Sequence, residues 1–256
     1  MPIIQSIERA LKILDLFNEQ TTELKITEIS KLMGLSKSTL HSILKTLQLH
    51  GYIDQNRENE KYRLGMKLVE RGYFVVASMD IRQKAKGWLT DLSLKTGQTT
   101  HLGILEGGEG VYIEKIEGKQ AAIAYSRIGR RLPIHSTAMG KVLIAWLNDA
   151  ERDSLLLDYD YTLYTQATLQ SRAALLETLV QVRQQHYAID NEENEPGVRC
   201  VAVPVWDHEG KVIAALSLST LISRVNDSEL MHYRQLLQET GYQLSLELGY
   251  PGTSPR

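Results

Sequence analysis

Two groups of residues in this sequence have types and spacings that could do chemistry. The first is a run of cations and small hydroxyls, Lys37, Ser38, Thr39, His41, Ser42 and Lys45. Ammonium groups and short hydroxyls of this kind bind phosphate and approach base edges. From Ile29 to Ile53 there is no acid, while Lys31, Lys37, His41, Lys45 and His50 are kept. An acid in that stretch would repel a polyanion, so the pattern suits nucleic acid. The second group is scattered. Ser217 and Ser219 lie two apart in an otherwise apolar run and share one strand face. Ser136–Lys141 starts a helix with small residues, whose free amides suit a carboxylate. Asp190 can accept hydrogen bonds from hydroxyls. The plainer alternative has the two serines bonding within their own sheet and Asp190 solvated.

Other chemistries fit less well. Cys200 and His135 form a conceivable nucleophile–base pair, so a small-molecule enzyme is the alternative reading. No local signature supports it, and a lone cysteine behaves as a small buried hydrophobe. Gly140-Lys141 has neither the upstream glycine nor the following hydroxyl of a phosphate loop. Gly107-Gly108-Glu109-Gly110 sits between two strands and not at the strand-to-helix turn of a dinucleotide site. The seven histidines show no metal-ligand spacing, and a single cysteine excludes an internal disulfide or an all-cysteine metal site. No cofactor and no metal are expected.

The elements that must position these groups follow from periodicity. At 256 residues, 43% apolar and 23% charged, the chain has room for two folded domains. The longest apolar run, Val142–Leu147, is too short to span a membrane, and the N-terminus has no signal-peptide pattern. A cytoplasmic protein is expected. Ser6–Phe17 carries Ile7, Leu11, Ile13 and Leu14 at helical spacing. Thr27 is the expected N-cap of a second helix that Gly34 stops. Ser36 caps a third, with Leu40, Ile43, Leu44 and Leu47 as its buried stripe and the Lys37–Lys45 set opposite. Two short helices about a glycine turn form a helix-turn-helix, whose plainer equivalent is a helical hairpin with a solvated face. Gly51–Asp54 and Tyr62–Leu64 then read as the hairpin of a wing, with Arg57, Lys61 and Arg63 as backbone contacts. Glu58 and Glu60 at its tip argue against deep insertion. Met66–Ser78 is a connecting helix, and Tyr73–Val76 on it is apolar enough to need a partner.

Beyond residue 80, helices are expected at Ile81–Thr96, Thr137–Leu147, Ser171–Gln185 and from an Asp227 cap to Leu248. Strands are expected at Thr99–Leu105, Val111–Glu117, Ala121–Arg127, Tyr187–Asp190, Cys200–Trp206 and Val212–Thr220, with Ile128–His135 a loop. The first two strands join through Glu106–Gly110. Hairpins mixed with helices give an α+β class with an antiparallel sheet.

Three segments then carry a resemblance over nearly the whole chain. They are Ile29–Thr39, Ser126–Lys141, and Asp190–Val205 with its Asn194-Glu195-Pro196-Gly197 core. With them the chain resembles the IclR-type transcriptional regulators. The resemblance implies a winged helix-turn-helix domain at 1–64, a connecting helix at 65–80 and a GAF-like effector-binding domain at 81–250. It implies binding to double-stranded operator DNA, a homodimer or homotetramer, and Ala138, Met139, Asp190, Cys200, Ser217 and Ser219 at effector-pocket positions. Ala138 departs from the glycine often found there. Within the family the sequence is most similar to members that respond to sugar acids, xylonate in particular. A repressor released from DNA by such an acid is the resulting expectation.

Overall fold

The computed structural model describes residues 3–18, 20–77, 80–120 and 126–252, with the side chains of 75–77 left aside. The chain divides into two compact units, Met1–Ser78 and Met79–Arg256.

In the first unit α1 (Gln5–Leu14), α2 (Ile26–Met33) and α3 (Lys37–Leu49) precede a hairpin of β1 (Ile53–Gln55) and β2 (Tyr62–Leu64), followed by α4 (Lys67–Ala77). The core joins Ile13, Phe17, Leu24, Ile29, Leu40, Leu44, Ile53 and Tyr62, with Ile43 and Leu47 packed at its margin. The 3.6-residue stripe of α3 is therefore its buried face. The turn before α3 depends on Gly34, which closes α2 in the left-handed conformation (φ 63°). The expected Thr27 cap is displaced. The helix starts at Ile26, and the Glu28 carboxylate accepts from the amide of Lys25 at 2.6 Å, so a carboxylate reaching back takes the place of a hydroxyl. On α1, Ile13 enters the core, but Ile7 and Leu11 are 55% and 56% exposed. A Cβ at Gly65 would lie 2.1 Å from the carbonyl oxygen of Gly51, so only glycine lets the wing run into α4. Tyr73 and Phe74 on α4 are exposed, while the side chains of Val75 and Val76 lie outside the described residues.

In the second unit α5 (Asp80–Thr96) leads into β3 (Thr99–Glu106), β4 (Glu109–Ile116) and the two-residue β5 (Arg131–Leu132). Then come α6 (Ala138–Ala145), α7 (Asp149–Leu155), α8 (Arg172–Gln185), β6 (Ala188–Asn191), β7 (Val198–Trp206), β8 (Val212–Leu221) and α9 (Asp227–Glu247). The strands form one six-stranded antiparallel sheet in the order β5-β4-β3-β8-β7-β6. Alternation divides it into two faces. Ala214, Leu216, Leu218, Val201 and Val203 pack against α5 and α9. Ala215 and Ala202 face α6, which α8 backs. The molecule is thus of the α+β class, with an N-terminal winged helix-turn-helix.

Several boundaries differ from expectation. Asn226 and not Asp227 caps α9: its side chain accepts from Glu229 N at 3.0 Å while the Glu229 carboxylate accepts from Asn226 N at 2.9 Å. The first strand pair turns on Gly107-Gly108 alone, with β4 starting at Glu109. Within the expected strand Ala121–Arg127, residues 121–125 lie outside the described residues, and Ser126 and Arg127 are not in a strand. The expected loop 128–135 contains β5. No helix among the described residues is long and apolar enough to cross a membrane.

Candidate functional site

The N-terminal end of α3 is presented to solvent. Ser36 Oγ accepts from Thr39 N at 3.3 Å and meets the hydroxyls of Ser38 and Thr39 at 2.9 Å each. Thr39 is consequently half-buried, whereas Lys37, Ser38, His41, Ser42 and Lys45 are exposed. Ser42 Oγ donates back to the carbonyl of Ser38 at 3.3 Å. Lys37 and Lys45 form no ion pair among the described residues, so their charges point outward uncompensated. The wing differs. Arg63 donates twice to Asp54 Oδ2, at 2.7 and 3.1 Å, and holds that carboxyl below its ordinary value. Arg57 is exposed and Lys61 half-buried. Glu23 accepts from Asn59 at 3.0 Å and Asn56 at 3.4 Å, placing an acid beside the wing that the sequence did not announce. With Asp54, Glu58 and Glu60, it makes the wing mixed in charge, whereas α3 is basic.

The scattered second group converges on one cavity between the sheet and α6. Strand pairing does this: Asp190 stands opposite Cys200, Cys200 opposite Ser219, and Ala202 opposite Ser217. Ala138, Met139, Asp190, Cys200, Ser217 and Ser219 all line the cavity, which is small, about 40 Å³. Met139 reaches it by lying over Gly103 of β3, where a Cβ would stand 2.2 Å from its sulfur. Thr137 caps α6, accepting from Gly140 N at 3.0 Å and donating to the Pro133 carbonyl at 2.7 Å. The amides of Ala138 and Met139 precede that of Lys141, the first to donate within the helix, and are the donors this helix end offers.

Asp190 is 3% exposed, so it is not the solvated carboxylate of the plainer alternative. Its Oδ1 accepts from the amides of Glu193 at 2.7 Å and Asn194 at 3.3 Å. Burial pushes its carboxyl up to about 7, against the opposing pull of Lys141 and these amides. Cys200 donates to Ser219 Oγ at 3.1 Å, and burial pushes its thiol well above the usual range. His135 is held elsewhere. Its Nε2 donates to the Thr162 carbonyl at 3.1 Å, which leaves Nδ1 to accept from the Tyr159 hydroxyl at 2.8 Å. A protonated thiol bonded to a serine and a histidine bonded to a tyrosine do not form the nucleophile–base pair of the enzyme reading.

Tyr112, Ser126, Arg130, Asn194 and Glu195 also line the cavity and were not singled out from the sequence. Four of the five fall inside the Ser126–Lys141 and Asp190–Val205 segments, which was the available signal. Tyr112 carried none.

Comparison with known proteins places both units in one family. The IclR helix-turn-helix domain matches residues 6–57, and the C-terminal domain of the bacterial transcriptional regulator IclR matches 73–246. The chain is 76% identical over 251 residues to the HTH-type transcriptional regulator XynR of Escherichia coli K12, covering 98% of this chain and 100% of that one. It is 41% identical over 247 residues to the HTH-type transcriptional regulator KdgR of the same strain, covering 96% and 94%. The crystal structure of Thermotoga maritima IclR superimposes with a TM-score of 0.78 at 32% identity, covering 97% of this chain and all of that one. The chain therefore belongs to the IclR family of DNA-binding bacterial transcriptional regulators.

Proposed function

We propose that the chain is a cytoplasmic repressor that leaves its operator when a small sugar acid enters the cavity of the second unit. The observation that carries this reading is the convergence of Ala138, Met139, Asp190, Cys200, Ser217 and Ser219 on one buried space. A sugar acid has one carboxylate and several hydroxyls. The positive end of α6 suits the carboxylate. Asp190 accepts from hydroxyls, Ser217 and Ser219 exchange hydrogen bonds with them, and Cys200 is a weakly polar wall. At about 40 Å³ the cavity must widen to admit such a ligand, and the flexible Met139 thioether is the side chain best suited to yield. The division of labour assigns 1–64 to double-stranded DNA, 65–80 to the connector and 81–250 to the effector. Lys37, Ser38, Thr39, His41, Ser42 and Lys45 face the major groove, and Arg57, Lys61 and Arg63 approach the backbone.

One recognition helix covers a half-site, so specific binding calls for a symmetric pair. The exposed Ile7 and Leu11 on α1 and Tyr73 and Phe74 on α4 are apolar surface for a second copy, as a homodimer or homotetramer. Sedimentation in the presence of operator DNA tests this, and a persistent monomer rules it out. Calorimetry with aldonic acids such as xylonate tests the ligand. Asp190→Ala removes one buried hydrogen-bond partner, expected to cost about tenfold or more in affinity while DNA binding stays intact. Equal affinities would remove Asp190 from the site.

A further inference from the structure

The Gly140-Lys141 pair, which fails as a phosphate loop, has another place in the fold. Lys141 belongs to α6 yet is only 1% exposed. Its ammonium donates to the Ile189 carbonyl at 2.6 Å and to Glu193 Oε1 at 2.7 Å. These two residues bracket Asp190, whose own carboxylate accepts from the Glu193 and Asn194 amides. The same turn is stitched from elsewhere by neutral bonds. Thr165 and Thr168 hydroxyls donate to the carbonyls of Glu192 and Glu193, each at 2.6 Å, and Ser136 Oγ donates to Asn194 Oδ1 at 3.1 Å. Lys141 supplies the charged stitch.

A buried ion pair adds little net stability, because desolvating two charges offsets their attraction. Here the pairing is also incomplete: Glu193 Oε2 is buried with no hydrogen-bond partner among the described residues. A local compromise of this kind is expected where function, rather than stability, sets the arrangement. Lys141 is, moreover, the cation that favours the charged form of Asp190 against its burial.

We propose that Lys141 is the positioning residue of the effector pocket: its buried ammonium pins the Asp190 turn to α6 and supplies the charge against which Asp190 meets its ligand. This rests on reading the second unit as an effector domain. The titratable groups around Asp190 are Lys141 from α6, Glu193 and Glu195 from the turn, Cys200 from β7, Tyr112 from β4 and Arg130 from the segment before β5. Because Asp190 accepts from ligand hydroxyls, its ionised form is the binding form. Ligand affinity therefore falls as pH drops through its titration, and removing Lys141 moves that fall to higher pH.

The test uses the full-length protein carrying Lys141→Met together with Glu193→Gln, which deletes both charges and leaves neither stranded. Two quantities are read: the titration of the Asp190 carboxyl by carbon NMR without ligand, and xylonate affinity by calorimetry from about pH 6 to pH 9. Loss of a neighbouring cation shifts a carboxyl by about one unit or more. Asp190 in the double variant then titrates that much higher than in Glu193→Gln alone, the comparison that isolates the cation, since losing Glu193 by itself lowers it. Against the same single variant, xylonate affinity at pH 7 falls about three- to fivefold and recovers by pH 9, since ionisation restores the binding form. An unchanged Asp190 titration, or a loss of affinity equal at every pH, overturns the proposal and leaves Lys141 a structural residue. If the double variant does not fold, Lys141→Gln alone decides. It removes the cation, so Asp190 titrates higher than in wild type and xylonate binds more weakly near pH 7, and no change in that titration overturns the proposal. Failure of wild type to bind xylonate defeats the sugar-acid reading separately, because the ligand-free titration still decides the role of Lys141.

Discussion

The α3 surface and the cavity beneath α6 solve opposite problems with similar side chains. On α3, serines and lysines stand in water on the outer face of a helix whose inner face is Leu40 and Leu44. Their position is fixed by the helix alone, and the exposed ones are solvated. In the cavity, Ser217, Ser219 and Asp190 are 2–3% exposed, the serines from β8 and Asp190 from β6. There each polar group must already have a partner, so Cys200 bonds Ser219 and two amides hold Asp190. A solvated surface tolerates single changes and draws its energy from many charges. An enclosed site concentrates its energy in a few groups and couples it to pH.

The comparison breaks first on the DNA side. The triple variant Lys37→Ala, His41→Ala, Lys45→Ala leaves the apolar stripe untouched and should fold normally. In a symmetric complex each half-site loses three contacts, so operator affinity should fall about a thousandfold, with a shallower salt dependence. Gel shifts across salt concentrations measure this. Wild-type binding by the triple variant would remove α3 from the major groove. Xylonate binding should not change.

The contrast also explains what could be read from the sequence. The α3 stripe, Gly34 and the Ser36 cap all lie within a few residues of one another, so helical period and capping rules suffice. The cavity needs β6, β7 and β8 in register, and alternation tells which face Ser217 takes but not that Cys200 and Asp190 lie alongside. The family-like segments supplied those neighbours, and they enclosed Arg130, Asn194 and Glu195 without marking them. Caps slipped where two good capping residues sit together, as with Asn226 beside Asp227. Helix α7, Asp149–Leu155, went unseen because it has no apolar stripe. Its only signal was Asn148 three residues before Glu151, which form a reciprocal cap.

A second, smaller effect sharpens the difference in solvation. Burial raises the folded-state value of Asp190 to about 7, above its ordinary 3.8. The folded protein thus binds this proton more tightly than the unfolded chain. The resulting stability is full below the ordinary value and is lost as pH rises through about 7. A carboxamide at this position cannot titrate, so Asp190→Asn should gain about 2 kcal/mol relative to wild type between roughly pH 5 and pH 7.5. Urea unfolding at the two pH values reads it, and a flat difference would mean that the carboxyl is not buried in the free protein. No comparable pH-linked change is expected from Ser38→Ala on α3.

The smallest predicted effect compares two helix caps of the same kind. Ser36 caps α3 at the surface, and Thr137 caps α6 inside the second unit. In Ser36→Ala, water replaces the hydroxyl at the Thr39 amide, so the loss should sit near the low end for caps, about 0.5–1 kcal/mol. DNA affinity should weaken slightly, because the first turn of α3 frays where Lys37 and Ser38 are mounted. In Thr137→Ala no such replacement is at hand: the Gly140 amide and the Pro133 carbonyl both lose a partner, Gly140 being buried. That leaves unsatisfied groups worth about 1–3 kcal/mol together, and it loosens the α6 amides that would receive a carboxylate. Thermal unfolding ranks the two variants, and xylonate calorimetry should show a defect in Thr137→Ala alone. Equal destabilisation by both would mean that water reaches the Thr137 cap, and that the cavity is more open than its side chains make it.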